Sequence, residues 1–388
     1  MNKMKILFLR DQRTPPIDGA GLYLLRVCRV LNVKKIPYLL LYGGTKDIYY
    51  KQLKNSNINV KLINFPKETP KNFFRFFRIF RLRDKIKKLI IKEKFTIINT
   101  HFPHLNFFLS KSINIPLISY WHGADVINKP IKAFDISLLI NFRIRDLLFQ
   151  IYRKFNVFNF NLAKFVVVPG KASRITAIKK FNVDKNKIII NTYGVDTYNS
   201  KNIKTIHKEF NLSKDTKIIL SAGRIVKDKG VEEFCELAKK IGSDKIKFIY
   251  LGSYRDYKYY QNLLKKYSKY VIFPGNRIDI ERFYKSSYLF LLLSHRESAG
   301  LVLVEAMNFG LPLIGWNIIG VNEIIKNGYN GELIKFRDIN KLNLKVKELL
   351  YNKKKYLKLS KNSFANFKYY NIENSTNRLL KIFNKIDN

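Results

Sequence analysis

Short apolar runs alternate with amphipathic segments along the whole chain. The runs predict strands at residues 5–9, 38–42, 60–63, 96–99, 117–121, 165–168 and 188–190, and then at 217–222, 247–251, 271–273, 289–293 and 312–315. Segments with apolar residues at every third or fourth position predict helices at 20–31, 72–92, 231–241, 257–267, 278–285 and 301–309. Strands that are apolar along nearly their full length are typical of a parallel sheet that helices cover on both faces.

The strands fall into two series, which predicts an α/β fold with two doubly wound, Rossmann-like domains. A polar stretch at 199–208 separates the series. We therefore place the first domain at residues 1–199 and begin the second at residue 200. Ligands of such sheets bind beyond the carboxyl ends of the strands, so polar residues and glycines in those loops carry the most information about function.

Composition bounds the class of protein. The chain of 388 residues is 46% hydrophobic, which excludes intrinsic disorder and allows two cores. No apolar run approaches the roughly 18 residues of a membrane span. Cys28 and Cys235 lie far apart in helical patterns, which favours reduced core thiols in a cytosolic protein. The net charge of +44 admits three interpretations: nucleic-acid binding, attraction to an anionic membrane, and compositional drift.

The loop SAGRIVKDKGVEEF at 221–234 combines a strand end, two cations and a helix start. The strand ends at Gly223, the helix starts near Gly230, and Arg224 and Lys229 project from the connection. Backbone N–H groups at a helix start, beside a guanidinium and an ammonium, are suited to binding phosphate. The alternative is a solvated basic loop, since the chain has 73 lysines and arginines.

The stretch SHRESAGLVLVEAMNFG at 294–310 places two carboxylates in an otherwise apolar segment. Glu297 falls in the loop after the strand at 289–293, and Glu305 lies about one turn into the next helix, so both can face one cleft. Carboxylates suit sugar hydroxyls, and the N–H groups of Gly300 and Leu301 are expected to remain free for phosphate. In the alternative interpretation, Glu297 is a helix cap and Glu305 a surface residue.

The first half of the chain contributes further candidates. His122 closes the strand at 117–121, while Gly19 and Gly21 lie between the first strand and the first helix. These glycines do not form a dinucleotide-binding fingerprint, because the three-glycine spacing is absent. His101 and His104 have no nearby thiol or carboxylate, so a zinc site there is improbable.

Together these loops resemble the retaining glycosyltransferases of family four, the "glycosyl transferases group 1" type with GT-B architecture. The matching residues are Glu297 and Glu305 of a Glu-x7-Glu motif, Ala306-Met307 and a Gly310-Leu-Pro312 turn, Gly223-Arg224 with Lys229-Gly230, Tyr193-Gly-Val-Asp196 and Gly320 with Glu323. The likeness covers nearly the whole chain and is more specific in the second half. Ala20 replaces a frequent glycine, and Tyr193 stands where asparagine is usual.

The resemblance implies that residues 200–365 bind a nucleotide diphospho-sugar and that a last helix, within 366–388, crosses back to the first domain. The two domains would face each other across a cleft. The residues expected to act in catalysis are Arg224, Lys229, Glu297 and His122. Those expected to bind the donor are Gly223, Gly275, Asn276, Ser298, Ala299, Gly300, Leu301 and Glu305. The acceptor side is expected to include Gly19, Gly21 and His122.

The implied reaction moves a hexose-type sugar, with retained anomeric configuration, to a glycan or lipid-linked saccharide in bacterial surface polysaccharide synthesis. Arg224 and Lys229 would neutralise the departing diphosphate, Glu297 would hold sugar hydroxyls and Glu305 the ribose. The backbone around Gly275 would approach the base. No Asp-x-Asp pair occurs in the sequence, so we expect neither a metal ion nor another cofactor.

Other functions stay open at this stage. An inverting transferase or a sugar-nucleotide epimerase of the same fold would need a base in the first domain, and His122 or Asp125 is available. The Glu-x7-Glu pattern argues against this alternative. A non-catalytic polyanion-binding protein on the same scaffold would not require both glutamates alongside Arg224 and Lys229.

The segment at 71–94 has ten basic and two acidic residues, with Phe73, Phe77 and Phe80 on one helical face. This pattern is typical of a helix lying on an anionic membrane, and the alternative is a helix packed on the sheet. We expect its second half to pack and its first half to meet lipid. The expected location is cytoplasmic and peripheral on the inner face of the membrane, and nucleic acid is not among the expected partners.

Overall fold

A computed structural model describes residues 4–10, 19–63, 77–101, 106, 109, 114–122, 160, 162–254 and 256–387. The chain divides into two compact units. Unit 1 comprises Met1–Thr192 and Ser375–Asn388, and unit 2 comprises Tyr193–Asn374. The predicted divisions, after residues 199 and 365, lie within unit 2.

Unit 1 is built on a parallel sheet whose described strands have the order β3-β2-β1-β4-β5-β6-β7. The strands are β1 (Ile6–Arg10), β2 (Tyr38–Tyr42), β3 (Val60–Leu62), β4 (Ile97–Thr100), β5 (Leu117–Tyr120), β6 (Phe165–Val168) and β7 (Ile188–Ile190). The helices between them include α1 (Gly19–Val33), α2 (Ile48–Asn55), α3 (Phe77–Glu93) and α4 (Lys171–Phe181). Apolar strands are required here because helices cover the sheet.

Helix α3 contains the second half of the basic segment. Its residues Leu82, Ile86 and Ile90 recur every four positions and pack on Leu7 and Leu39 of the sheet. The second half of the segment therefore packs, as predicted. Residues 71–76 and the side chains of residues 77–81 lie outside the described part of the chain.

The last helix, α11 (Ile372–Asp387), begins in unit 2 and packs within unit 1 from Ser375 onward. The Ser375 hydroxyl donates to the carbonyl of Thr192 at 2.6 Å and lies 3.2 Å from the Tyr23 hydroxyl. Phe383 is fully buried. The end of the chain is thus an integral part of the core of unit 1.

Unit 2 contains a second parallel sheet, with the order β10-β9-β8-β11-β12-β13. Its strands are β8 (Lys217–Ala222), β9 (Ile246–Leu251), β10 (Val271–Gly275), β11 (Ser287–Leu292), β12 (Leu313–Trp316) and β13 (Gly331–Ile334). Its helices are α5 (Val231–Ile241), α6 (Tyr257–Tyr267), α7 (Ile280–Ser286), α8 (Leu301–Asn308), α9 (Ile339–Tyr351) and α10 (Lys353–Tyr370). Successive residues of β8 enter different cores, Ile219 one and Leu220 the other, as the two-residue period of a strand requires.

These two sheets confirm the predicted α/β class with two doubly wound domains. Strand β13 was not predicted, because its sequence GELI contains a glycine and a glutamate and lacks the apolar run used to find the other strands. Helices α2, α4, α9 and α10 were also not predicted. Among the residues that the structure describes, no helix combines the length and the apolar character needed to cross a bilayer.

Candidate functional site

The strand order of unit 2 has a switch point between the neighbouring strands β8 and β11. From β8 the chain continues to β9 and β10 at one side of the sheet, and from β11 to β12 and β13 at the other. The loops after β8 and β11 therefore diverge at the position where doubly wound sheets bind ligands. These loops contain Arg224, Lys229 and Glu297.

Main-chain contacts hold the two loops together. Gly230, with a φ of +67°, caps helix α5 at the end of the first loop. A Cβ at this position would lie 2.0 Å from the carbonyl oxygen of Leu293, so glycine is required for the loop to approach the end of β11 this closely. The N–H of His295 also donates to the carbonyl of Asp228 at 2.9 Å. The loops are thereby fixed against each other before any side chain is considered.

Lys229 and Glu297 form an ion pair between these loops. The Nζ atom of Lys229 lies 2.9 Å from Oε2 of Glu297, and the two side chains are only 17% and 13% exposed. Burial alone would raise the pKa of Glu297, but the Lys229 ammonium and two backbone N–H groups outweigh it and lower the pKa. The carboxylate is therefore ionised at neutral pH.

The other oxygen of Glu297 bonds the turn that leads into helix α8. Oε1 accepts the N–H of Ser298 at 3.1 Å and the N–H of Gly300 at 3.4 Å. The prediction that the Gly300 N–H stays free for phosphate is therefore wrong, because a carboxylate of the same turn already occupies it. Ser298 precedes the helix and Gly300 is its N-cap residue, so these bonds fix the turn before the helix and do not confirm the cap interpretation of Glu297. Ala299 is half-buried in this turn, and Leu301 begins the helix.

The main chain of Glu297 is also fixed from the opposite side. Gly320, in the connection between β12 and β13, has a φ of +97°, and a Cβ there would lie 2.2 Å from the carbonyl oxygen of Glu297. Any larger residue would push the two segments apart. Gly320, which the sequence comparison with the family singled out, is therefore required to keep the main chain of Glu297 in its position.

The remaining donor-side candidates lie on neighbouring loops at the same sheet edge. Gly223 and Arg224 directly follow β8 and are half-buried, while Gly275 ends β10 and is followed by the exposed Asn276. The N–H of Gly252, after β9, donates to the carbonyl of Gly275 at 3.0 Å and so connects adjacent loops. A Cβ on Gly275 would have no neighbour within 4 Å, so its backbone borders open space.

Glu305 faces the neighbouring helix α7. Its Oε2 accepts a hydrogen bond from the hydroxyl of Tyr284 at 3.1 Å, and the residue is half-buried. The alternative of a solvated surface residue is therefore wrong for Glu305. The buried phenol orients this carboxylate on the second turn of α8.

An ionic cluster that the sequence did not indicate borders the loop after β10. Arg277 lies 2.8 Å from Asp279 and 2.9 Å from Glu209, and Nη1 of Arg282 lies 2.9 Å from each of the same two carboxylates. The hydrogen bond from Arg277 is the main reason why the pKa of Asp279 is far below its usual range. Glu209 comes from a distant part of the sequence, so no local pattern could have revealed the cluster. It fixes the loop that begins at Gly275.

In unit 1, His122 pairs with His101. His122 follows β5 and His101 follows the adjacent β4; His101 Nδ1 is hydrogen-bonded to His122 Nε2, and the ring centroids are 4.5 Å apart. Tyr120 stacks on His122 at 4.9 Å, and His101 Nε2 lies 3.0 Å from Oδ1 of Asn99. Burial, with a contribution from the nearby Arg10, lowers the pKa of both imidazoles well below the usual value. Both rings are therefore neutral.

The Asn99 contact sets the tautomers of the pair. Because the amide oxygen accepts, Nε2 of His101 is the donor, and its Nδ1 is left to accept the Nε2 proton of His122. The sequence missed this pairing because it compared His101 with His104, which lies outside the described residues. The available signal was that each paired histidine follows one of two neighbouring parallel strands.

The structure places the first-loop glycines differently from the prediction. Gly19 is the first residue of helix α1, and Gly21 is buried in its first turn, where its carbonyl accepts the Tyr49 hydroxyl at 2.8 Å. Both glycines are thus part of the helix and not of the loop that precedes it. Residues 11–18 of that loop, and also Asp125, lie outside the described residues.

Two family models match the chain. The model described as "Glycosyl transferases group 1" matches residues 202–365, and the model "Glycosyltransferase Family 4" matches residues 17–198. The first match lies within unit 2, and most of the second lies within unit 1.

Two curated bacterial proteins are similar to this chain in sequence. The N-acetyl-alpha-D-glucosaminyl L-malate synthase of Bacillus anthracis is 26% identical over 269 residues, which are 66% of this chain and 66% of that protein. The N,N'-diacetylbacillosaminyl-diphospho-undecaprenol alpha-1,3-N-acetylgalactosaminyltransferase of Campylobacter jejuni is 26% identical over 265 residues, 68% of each chain. The chain thus matches about two thirds of the length of these relatives.

A solved structure extends the likeness to the whole fold. Anabaena HepE, in complex with UDP and glucose, has a TM-score of 0.75 to this chain and 16% sequence identity, covering 98% of this chain and 100% of that one. The likeness at this identity concerns the fold, which agrees with the two doubly wound sheets described above. With the two family matches, it shows that the chain belongs to the GT-B glycosyltransferases of the group 1 and family 4 type.

Proposed function

We propose that this protein is a retaining glycosyltransferase that moves a hexose-type sugar from a nucleotide diphospho-sugar to a glycan or lipid-linked saccharide in bacterial surface polysaccharide synthesis. The observation that carries the proposal is the partly buried ion pair of Lys229 with Glu297 at the switch point of unit 2. The pair joins a candidate phosphate-binding cation to a candidate hydroxyl-binding carboxylate. Arg224, on the same loop as Lys229, adds a second cation.

The diphosphate would lie against the loop after β8. An ammonium has three donors, so Lys229 can bind a phosphate oxygen while it keeps its bond to Glu297. Arg224 would add a forked guanidinium, and the N-terminus of helix α8 a positive dipole. The proposed roles of Gly223, Ala299 and Leu301 are to bring backbone groups close to these phosphates.

The sugar and the nucleoside would use the two glutamates and the loop after β10. A carboxylate has about four acceptor positions. The contacts described above for the Glu297 carboxylate are the Lys229 ammonium and two backbone N–H groups. That count leaves room for a sugar hydroxyl. Glu305, oriented by Tyr284, would accept the ribose hydroxyls. The open backbone at Gly275 and Asn276 would border the base.

In the proposed reaction, the bond between the anomeric carbon and the phosphate oxygen breaks while the acceptor hydroxyl attacks from the same face. The departing phosphate oxygen takes the acceptor's proton, so no side chain acts as nucleophile. Arg224 and Lys229 stabilise the negative charge that grows on the diphosphate, which is the main catalytic contribution and needs no metal ion. His122, neutral and oriented by His101, would hydrogen-bond on the acceptor side, near the start of α1 at Gly19 and Gly21.

The names of similar proteins support the donor and acceptor classes. The Campylobacter relative is named for a diphospho-undecaprenol acceptor and an alpha-1,3 linkage, and HepE was solved with UDP and glucose. A lipid-linked acceptor suits a protein that works peripherally at the inner membrane surface. The basic segment at 71–94 would bring this chain to such a surface, since clustered cations attract anionic lipid.

A panel of UDP- and GDP-sugars tests the donor site. A ligand at 100 times its Kd stabilises the folded state by about 2.7 kcal/mol, which a thermal melt detects easily. We expect one nucleotide sugar to raise the Tm, and the free nucleoside, which lacks phosphate, to have no effect. If no nucleotide sugar raises the Tm, the donor site is wrong.

The stereochemistry and the membrane location need separate measurements. With the donor identified, NMR of the product should show the anomeric configuration of the donor retained, and an inverted product would favour the inverting alternative. Addition of a chelator should leave turnover unchanged. Anionic liposomes at low salt should bind the protein, and a protein that ignores them is not peripheral through its charge.

A further inference from the structure

Helix α10 has most of its lysines on one side. Its sequence KKKYLKLSKNSFANFKYY contains six lysines and no aspartate or glutamate. One side of the helix packs into unit 2 through Leu359, Ser363, Phe367 and Tyr370, which are buried. The opposite side is available to a partner.

The exposed residues of α10 form a single stripe along the helix. Apart from Lys353 at the first position, they are Lys354, Leu357, Lys358, Lys361, Phe364, Ala365, Lys368 and Tyr369. At 3.6 residues per turn these positions fall within an arc of about 140°. We refer to these eight residues as the α10 stripe.

The α10 stripe combines lysines with large apolar side chains. Leu357 is 54% exposed, Phe364 is 59% exposed and Tyr369 is 53% exposed. Single exposed apolar residues are common on proteins, but three on one helical stripe mark an interaction surface. Their spacing places each within about one turn of a lysine.

A lysine outside the stripe provides an internal comparison. Lys355 points to the other side of α10 and pairs with Glu332 and Glu348. Among the described residues, no carboxylate forms an ion pair with the four stripe lysines. Unit 2 therefore neutralises the inward lysine and leaves the outward lysines to a partner with negative charge.

We infer that the α10 stripe is a docking surface for an anionic lipid bilayer. Lysines reach anionic headgroups while leucine and phenylalanine enter the boundary with the acyl chains, which is how a helix lies in a membrane interface. A second copy of the chain, docked through the same stripe, would bring lysines against lysines. A nucleic acid would satisfy the lysines but leave Leu357 and Phe364 in water.

This surface lies in unit 2, whereas the basic segment at 71–94 lies in unit 1. The inference therefore does not depend on the side chains of that segment. It also goes beyond the proposed reaction. Because the readout is lipid binding, a failure of the donor site would leave this inference standing, and a failure here would leave the donor site untouched.

Co-sedimentation of the full chain with lipid vesicles tests the inference. Phosphatidylcholine vesicles with and without phosphatidylglycerol are compared for the parent, for Lys358→Gln/Lys361→Gln and for Phe364→Ser. The matched control is Lys239→Gln/Lys240→Gln, which removes two exposed lysines from helix α5 of the same unit. Thermal melts check that all variants fold, which is expected because every changed side chain is exposed.

We expect the parent to bind only the vesicles that contain phosphatidylglycerol. The two-lysine variant of α10 should lower the partition coefficient about 25-fold, because each lysine near such a surface contributes about a factor of five. Phe364→Ser should lower it severalfold, and the α5 control by less than about twofold. Inorganic phosphate at the ionic strength of the control buffer should not compete, which distinguishes a bilayer from a site for free phosphate.

Three results would overturn the inference. The parent could fail to bind anionic vesicles, or the α10 variants could bind as the parent does, which would assign binding to another region such as residues 71–94. The α5 control could lose as much as the α10 variant, which would mean that net charge alone is responsible. Sedimentation velocity adds a fourth: if Phe364→Ser changes only the oligomeric state, the stripe is a contact between copies.

Discussion

Replacing Glu297 by glutamine removes the negative charge opposite Lys229 while keeping the shape of the side chain. The Lys229 Nζ and Glu297 Oε2 atoms are 2.9 Å apart, and the two side chains are 17% and 13% exposed. The pair is therefore intermediate between two cases. A surface ion pair contributes up to about 1 kcal/mol to stability, and disruption of a fully buried one costs about 3–5 kcal/mol. The amide oxygen can still accept from Ser298 or Gly300, so we expect a loss of about 2 kcal/mol in the free energy of unfolding. In a unit the size of residues 193–374, this lowers the Tm by about 4–8 °C.

The matched control is Glu236→Gln. Glu236 also pairs with a lysine, Lys266, at 3.0 Å, but the two side chains are 46% and 61% exposed. The loss there should stay below about 1 kcal/mol. Differential scanning calorimetry at neutral pH measures both variants.

The pH dependence of the Tm provides a second test of the ion pair. The folded state lowers the pKa of Glu297, so its stabilising contribution is full above the ordinary glutamate pKa and is lost as pH falls through the lowered value. The difference in Tm between the parent and Glu297→Gln should therefore narrow in acid.

Activity completes the test of this residue. Glu297→Gln should abolish sugar transfer while leaving the affinity for a nucleoside diphosphate largely intact, because the cations remain. A variant that melts like Glu236→Gln and transfers sugar at the parental rate would refute the role given to Glu297.

Three further predictions concern the same site. Arg224→Ala and Lys229→Ala should each weaken nucleoside diphosphate binding by about tenfold, as expected for a lost charge-assisted hydrogen bond; calorimetric affinities equal to that of the parent would remove the residue from the site. Gly320→Ala should cost more than about 2 kcal/mol, since its Cβ would lie 2.2 Å from the carbonyl oxygen of Glu297; an unchanged Tm would contradict the close approach. Prolonged dialysis against EDTA should leave transfer unaltered, because the two cations stabilise the leaving diphosphate; loss of turnover that Mg²⁺ restores would show that they are insufficient.

Much of the architecture could be predicted because parallel strands covered on both faces must be apolar. The strand at 217–222 and the helix at 231–241 were predicted with the bounds that the structure has. The edge strand β13 was not predicted because it begins with Gly331. A Cβ at this position would lie 2.2 Å from the carbonyl oxygen of Leu313, so the neighbouring backbone requires glycine there and the hydropathy pattern does not show it.

The site was predictable where residues of one loop act together and not where distant segments meet. The spacing of Glu297 and Glu305 and the cations of the loop after β8 could be read locally. The ion pair of Lys229 with Glu297, the bond of Glu297 to the Gly300 N–H and the pairing of His101 with His122 depend on which loops the sheet brings together. Their geometry follows from strand order, which local sequence patterns do not specify.

The central claim is that the loop after β8 holds a diphosphate, and a calorimetric comparison of UDP with UMP, and of GDP with GMP, tests it most directly. If Arg224 and Lys229 bind both phosphates, the diphosphate of the preferred base should bind at least about tenfold more tightly than its monophosphate, and the advantage should shrink with added salt. Equal affinities for diphosphate and monophosphate would contradict the claim.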